Sequence, residues 1–151
     1  MSQSHATAYP SRALPGTWGR RLVAGLVGGL AGGLVFGAIM AATGMLPMVA
    51  SLVGSSSPLV GFGVHLVISV LIGLGLTLPF ARLLSGYGRS LLVGLAYGAL
   101  WWILGPLVIM PAMLGMPLFV MDGMALMSLV GHLAYGVILA LTAARLLRSR
   151  A

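Results

Sequence analysis

Four long apolar runs, separated by short polar or proline-containing stretches, dominate the pattern of residues along the chain. They lie near residues 22–43, 59–80, 90–110 and 125–144. Each can cross the hydrocarbon core of a bilayer as a helix, which takes about 20 residues. Barrel strands do not fit such continuously apolar runs, and lipid offers no partner for unpaired backbone groups. The pattern predicts an all-α, polytopic membrane four-helix bundle.

The ends of the chain differ from this apolar body. Residues 1–21 are polar and rich in Ser, Ala and Pro, and we expect a disordered cytoplasmic tail there. Residues 146–151 are expected to form a short basic cytoplasmic tail. The four-helix transmembrane domain then covers residues 22–145. The chain is 60% hydrophobic and only 6% charged, too little charge for the surface of a soluble domain.

The basic residues predict how the helices are oriented. All eight are arginines, and they flank the apolar runs on one side only: Arg12, Arg20, Arg21, Arg82, Arg89, Arg145, Arg148 and Arg150. The two remaining connections contain no Lys or Arg. By the positive-inside rule, both termini and the middle connection are cytoplasmic. This distribution indicates membrane orientation rather than nucleic-acid binding, although the net charge is +7.

The two halves of the chain resemble each other. A shift of 65 residues places Gly29, Gly33, Met45 and Met48 on Gly94, Gly98, Met110 and Met113, and after a two-residue slip His65 falls on His132. Both hairpins would start from the cytoplasm. The prediction is therefore two tandem transmembrane hairpins that form a parallel repeat, with an axis along the membrane normal.

Small residues indicate which helix faces pack closely. Gly25, Gly29, Gly33 and Gly37 form a ladder along the first helix, and such ladders let backbones approach where lipid gives no hydrophobic drive. The ladder can serve packing within the chain, a homo-oligomer or a membrane protein partner. Each membrane histidine lies on a small-residue stripe, expected to be buried: Gly61, His65, Ser69, Gly73 and Thr77 on the second helix, and Ser128, His132, Gly136 and Ala140 on the fourth.

The two outward connections, residues 44–58 and 111–124, are too apolar for ordinary solvated loops. Pro47, Pro58, Pro111 and Pro117 are expected to prevent clean continuation of a helix. We expect apolar interfacial or re-entrant segments at the outer end of the bundle.

Methionine is concentrated at the same outer end. Thioether and imidazole groups are ligands for Cu(I) or Ag(I), and Met-x-x-Met spacing puts two sulfurs on one helix face. A soft-metal site is one interpretation, with Cu(I) as the possible cofactor and these candidate ligands: His65, His132, Met45, Met48, Met110, Met113, Met116, Met121, Met124 and Met127. The other interpretation is packing, because methionine is a flexible apolar side chain that fills irregular gaps.

The histidines leave further alternatives open. His65 and His132 could ligate a b-type haem from opposite helices, relay protons, or simply donate hydrogen bonds across a helix interface. Asp122, the single acidic residue, is expected to be a cap or turn residue that could also attract cations. Because the chain has one carboxylate and no cysteine, paired-carboxylate and thiolate catalysis are excluded, and we expect no enzyme activity.

Four segments carry a resemblance: ATGMLPMVASLVG, VHLVIS, YGALWWILGPLVIMP and GHLAYG. With these segments the chain, over about residues 22–144, resembles a group of small four-helix bacterial integral membrane proteins with no known activity. The resemblance implies their fold and a bacterial inner membrane, and no functional residues. The sequence thus leaves three functional hypotheses: an accessory or assembly subunit that docks a membrane partner, a soft-metal binding or transport protein, and a haem-binding protein.

Overall fold

The structure is a computed structural model and describes residues 16–148. This part of the chain is helical, without strands. Its α-helices are α1 (Gly16–Thr43), α2 (Leu46–Ser51), α3 (Pro58–Phe80), α4 (Tyr87–Leu104), α5 (Met110–Leu114) and α6 (Gly123–Arg148). A 3₁₀ turn, Ala81–Leu83, follows α3, and a π-helical turn, Gly105–Ile109, joins α4 to α5.

Four helical spans are long and apolar enough to cross a membrane: Thr17–Thr43, Pro58–Leu83, Tyr87–Leu114 and Gly123–Arg148. They contain 26 to 28 residues, about 40 Å of helix at 1.5 Å per residue. These lengths exceed the predicted apolar runs, since each span extends beyond its run at one end or both. The prediction of four long apolar helices is confirmed, and it suggests a multi-pass membrane protein.

The predicted N-terminal tail is too long. Helix α1 already begins at Gly16, so residues 16–21 are helical, whereas residues 1–15 lie outside the described part of the chain. Arg20 donates from Nη2 to the carbonyl oxygen of Leu147, and Arg21 donates from Nη1 to that of Leu78 at 3.0 Å. These bonds join the first turns of α1 to the ends of α6 and α3. Helix α6 likewise continues to Arg148, and residues 149–151 are outside the described part.

The helices pack side by side in the order α3, α1, α6, α4. Helix α1 lies between two neighbours and has a glycine face for each. A Cβ atom at Gly29 would lie 2.6 Å from the carbonyl oxygen of Ser69 on α3. On the other face, a Cβ atom at Gly32 would lie 2.8 Å from the carbonyl oxygen of Tyr135 on α6. The second glycine face, which also includes Gly28, was missed in the sequence.

The glycine ladder of α1 is used for packing within the chain, the first of its three predicted uses, and the other two stay predictions. A Cβ atom at any of the four ladder glycines would meet α3 of the same chain: Gly25, Gly29, Gly33 and Gly37. The face is therefore buried within the chain. A second copy or a partner protein could reach it only after α3 had moved away.

The small-residue stripes are buried as predicted. On α3, all five predicted positions are buried: Gly61, His65, Ser69, Gly73 and Thr77. On α6, Ser128, Gly136 and Ala140 are buried and His132 is half-buried. A Cβ atom at Gly94 on α4 would lie 2.5 Å from the carbonyl oxygen of Gly136, so α4 and α6 also touch through their backbones.

The prolines of the second connection do not end the third helix, contrary to the prediction. Between Gly105 and Ile109 the chain forms a π-helical turn, in which the N–H of Met110 donates to the carbonyl oxygen of Gly105. This wider turn accommodates Pro106, and helical structure continues through Pro111 to Leu114. The helix ends at Gly115, whose φ of +67° suits glycine. The irregular part of this connection is thus residues 115–122 only.

The first connection is also more regular than predicted. Helix α2 begins with Pro47 in its first turn and packs against α3, with Leu46, Val49 and Ala50 buried. The segment covers the end of the bundle opposite the arginines. Proline here starts a helix instead of breaking one, because the first-turn N–H has no helical acceptor anyway.

Candidate functional site

A partly enclosed cavity of about 520 Å³ lies within the bundle at the methionine-rich end. Its walls come from α1, α3, α4 and α6, and from both connections at that end. Seven methionines line it: Met40, Met45, Met48, Met110, Met113, Met116 and Met124. Both membrane histidines, His65 and His132, lie on the same lining. The lining is mostly apolar, with a few polar side chains.

The cavity follows from a difference between the two halves of the chain. On α1, Gly32 allows close contact with α6, and Phe36 packs into the space left by Gly131. The residues 65 positions later, on α4, are Tyr97 and Trp101. Where α1 has Gly32, α4 has the bulky Tyr97, and α4 and α3 are bridged by the Tyr97 hydroxyl, which donates to the carbonyl oxygen of Ile72 at 2.9 Å. The space between these helices forms part of the cavity.

Each histidine uses one ring nitrogen for a backbone bond. Nε2 of His65 donates to the carbonyl oxygen of Gly33 at 3.0 Å, and Nδ1 of His132 donates to that of Ser128 at 2.8 Å. In a neutral imidazole the other nitrogen then carries a lone pair. For His132 this nitrogen, Nε2, faces Gly105 at the start of the π-helical turn. Both side chains therefore keep an acceptor nitrogen while serving helix packing.

The haem interpretation fits this packing poorly. The Phe36 ring lies against both imidazoles, with centroid distances of 5.1 Å to His65 and 4.7 Å to His132. A macrocycle held by both imidazoles would have to take the place of this ring. Since Phe36 is 4% exposed and fills the space beside Gly131, such a displacement would open the contact between α1 and α6.

The structure brings together eight of the ten predicted metal ligands. Met121 and Met127 are the exceptions: they do not line the cavity, and they are 59% and 43% exposed. Met121 belongs to the irregular segment 115–122, and Met127 lies on the outer face of α6. The spacing Met121-x-x-Met124-x-x-Met127 therefore does not bring these three sulfurs together, since only Met124 lines the cavity.

Several residues of the site were not predicted from the sequence. Met40, Phe36 and Trp101 line the cavity without having been named as candidates. The hydroxyl of Tyr135 donates to the carbonyl oxygen of Ser69 at 2.5 Å. This hydrogen bond links α6 to α3, and both residues line the cavity.

Asp122 lies on the cavity lining at the start of α6. Its Oδ1 accepts a hydrogen bond from the N–H of Ala125 at 2.8 Å. This is the N-cap role that was predicted for it. The side chain is exposed, and no arginine pairs with it in the described part of the chain.

The site contains no conventional hard-metal centre in the described residues, since no three His, Asp or Glu side chains cluster there. Its chemistry is that of apolar, polarisable groups with two imidazole acceptors and one carboxylate. No family model, curated protein or solved structure matches the chain. The resemblance to small bacterial membrane proteins stays a prediction.

Proposed function

We propose that the chain spans a bacterial inner membrane as a four-helix bundle with both termini in the cytoplasm. The six arginines within the described residues support this orientation, because they gather at one end: Arg20, Arg21, Arg82, Arg89, Arg145 and Arg148. Arg20 donates hydrogen bonds to the last turn of α6. The guanidinium group of Arg148 stacks on the ring of Tyr87, with the guanidinium carbon 3.9 Å from the ring centroid. The cavity lies toward the opposite, outward end.

We also propose that the two hairpins are a parallel repeat. Equivalent positions make equivalent contacts, which supports this: Gly29 faces Ser69, and Gly94 faces Gly136. The hairpins differ at the histidines: the ring of His65 donates to the carbonyl oxygen of Gly33, whereas His132 approaches Gly98 through its backbone carbonyl oxygen. A shift of 65 residues relates Gly29 to Gly94, and a shift of 67 residues relates Ser69 to Gly136.

The function that the geometry supports best is non-enzymatic binding of a small apolar molecule in the outward cavity. The observation that carries this proposal is the cavity itself: about 520 Å³, mostly apolar, with few polar groups. Sites for small molecules have volumes of about 300–1,000 Å³ and this kind of lining. Methionines suit such a site, because their flexible, polarisable side chains adapt to ligands of different shape.

A binding measurement with a neutral apolar dye tests this proposal. The protein in lipid nanodiscs is titrated with N-phenyl-1-naphthylamine, whose fluorescence rises in apolar surroundings, and the signal of empty nanodiscs is subtracted. We expect saturable binding to the wild type. The double variant Ile68→Trp/Ala125→Phe fills the cavity, because both residues line it, and should lose the saturable component.

A matched variant controls for added bulk. Leu71→Trp puts the same side chain on α3, but at a position that is 62% exposed and outside the cavity lining; it should bind the dye like the wild type. If the double variant does not fold, Met48→Trp at the exposed rim of the cavity takes its place. Binding that rises linearly in every variant would show partition into lipid alone and would contradict the proposal.

Soft-metal binding is a second candidate, and the meeting of seven thioethers and two imidazole acceptors on one lining favours it. Anaerobic titration with Cu(I) against a chelator of known affinity tests it. Met110/Met113/Met116→Leu should abolish saturable binding. Met121→Leu/Met127→Leu, at predicted ligands that lie off the cavity, should leave it unchanged. Equal effects of the two variants, or no binding at micromolar Cu(I), would refute this candidate. The expectation of a docking partner stays a prediction.

A further inference from the structure

The charges of the chain are unevenly distributed around the cavity. The described arginines gather at the opposite end of the bundle, whereas Asp122, the one acidic residue of the whole chain, lies on the cavity lining. Asp122 is the residue of the cavity lining that carries a full charge, because both histidines of the lining can be neutral. A ligand that enters the cavity therefore meets a negative charge and no positive one.

The capping role of Asp122 does not require this charge. Its Oδ1 accepts the N–H of Ala125, and Asn or Ser accepts such a bond about as well as Asp does. The other carboxylate oxygen, Oδ2, has no hydrogen-bond partner within residues 16–148. The carboxylate can thus cap α6 with one oxygen and face a cation with the other.

The rest of the lining suits a cation that is weakly hydrated. Trp101 belongs to it and is only half-buried, and aromatic rings attract cations to their faces. Thioether sulfurs are polarisable and pack well against apolar substituents. A strongly hydrated ion would find too few oxygen ligands here, but a cation that is shielded by apolar groups would not need them.

We propose that the ligand of the cavity is a monovalent hydrophobic cation, of the quaternary ammonium or phosphonium class, with its charge beside Asp122 and its apolar body among the methionines. This inference rests on the proposed function, since it uses the same cavity, and it adds the charge of the ligand and the residue that selects it. The same carboxylate disfavours an anion of the same size.

Two ions of nearly equal size test the sign of the charge. Equilibrium dialysis of the protein in nanodiscs, with empty nanodiscs as the background, measures binding of tetraphenylphosphonium and of tetraphenylborate. The wild type should bind the cation saturably and the anion about tenfold or more weakly, since the carboxylate attracts the one and repels the other. Because the charge pair is exposed to solvent, the affinity for the cation should also fall as the salt concentration rises.

Two substitutions at one position separate charge from capping. Asp122→Asn keeps the cap and removes the charge, and should weaken cation binding by about three- to tenfold, as expected for an exposed charge pair. Asp122→Glu keeps the charge but caps less well, and should retain most of the affinity. Circular dichroism and thermal unfolding establish that both variants fold.

The outcomes distinguish this inference from the proposed function. If the neutral dye binds saturably but the cation does not, or if Asp122→Asn binds the cation like the wild type, the cavity is a binding site and the charge of Asp122 has no part in it. Weakening in Asp122→Glu alone would show that capping matters and would likewise refute the inference. If neither dye nor cation binds, both proposals fail.

Discussion

At the scale of single residues, the packing of α4 against α6 depends on the absence of one Cβ atom. A methyl group at Gly98 would meet the carbonyl oxygen of His132 and lie 3.0 Å from its carbonyl carbon. Since this neighbour is backbone, it cannot turn aside, and the two helices must separate. We expect Gly98→Ala to destabilise the bundle by about 1–3 kcal/mol, as overpacking does in cores, measured by thermal or SDS-induced unfolding in detergent.

Gly63→Ala is the matched control for this change. Gly63 also lies inside a long helix, α3, but a Cβ atom there meets nothing within 4 Å. Alanine should be neutral or stabilising by up to about 1 kcal/mol, because glycine is the poorer helix former. If the two variants unfolded alike, close backbone contact at Gly98 would not be what holds α4 to α6.

Much of this residue-scale packing could be predicted from the sequence, and part of it could not. The stripe around His65 was predicted correctly, because small residues at every fourth position define one helix face. The second glycine face of α1 was missed, since Gly28 and Gly32 fall between the ladder positions. The sequence also did not show which methionines line the cavity. The position of Met121, for example, depends on the path of an irregular segment that has no helical or strand periodicity.

At the scale of elements, the first turns of α1 are fixed by the ends of other helices. Arg20 donates to carbonyl oxygens of Leu146 and Leu147, in the last turn of α6, where a cation is favourable. We expect Arg20→Gln to lower the stability by about 1 kcal/mol, the scale of a partly exposed, charge-assisted bond. Hydrogen exchange should also become faster in the last turn of α6.

Arg89→Gln makes the same change of charge at an exposed position. Arg89 reaches the hydroxyl of Ser85 only at 3.5 Å, so its loss should leave stability and exchange unchanged. An equal loss in both variants would point to total charge, and would contradict a specific bond between α1 and α6.

These contacts explain why the element boundaries differ from the predicted ones. Residues 16–21 have the polar composition of a tail, and the bonds that hold them helical join residues 57 to 127 positions apart. Pro106 and Pro111 carry the ordinary signal of a helix end, but the π-helical turn before α5 accommodates them. In both cases a long-range contact or a local change of helix type overrides the local signal.

At the scale of the whole molecule, the class of fold could be predicted from the sequence, whereas the cavity could not. Apolar runs of sufficient length predict four long helices, because a helix pairs the backbone groups of an apolar segment within the segment itself. The cavity lies beside Tyr97, which stands on α4 where α1 has Gly32. The sequence contains this difference, but its consequence appears only once α3 and α4 are known to face each other.

The orientation of the whole bundle gives the last prediction, and the absence of cysteine makes it directly testable. Ser56 lies between α2 and α3 at the cavity end, and Ser85 lies before α4 at the arginine end; both are exposed. A membrane-impermeant maleimide should label Ser56→Cys from outside in intact cells whose outer barrier has been removed. It should label Ser85→Cys only after lysis, because the positive-inside rule assigns the arginine end to the cytoplasm in the proposed orientation. The cysteine-free parent provides the blank, and the reverse pattern would overturn the orientation together with the outward cavity that both binding proposals require.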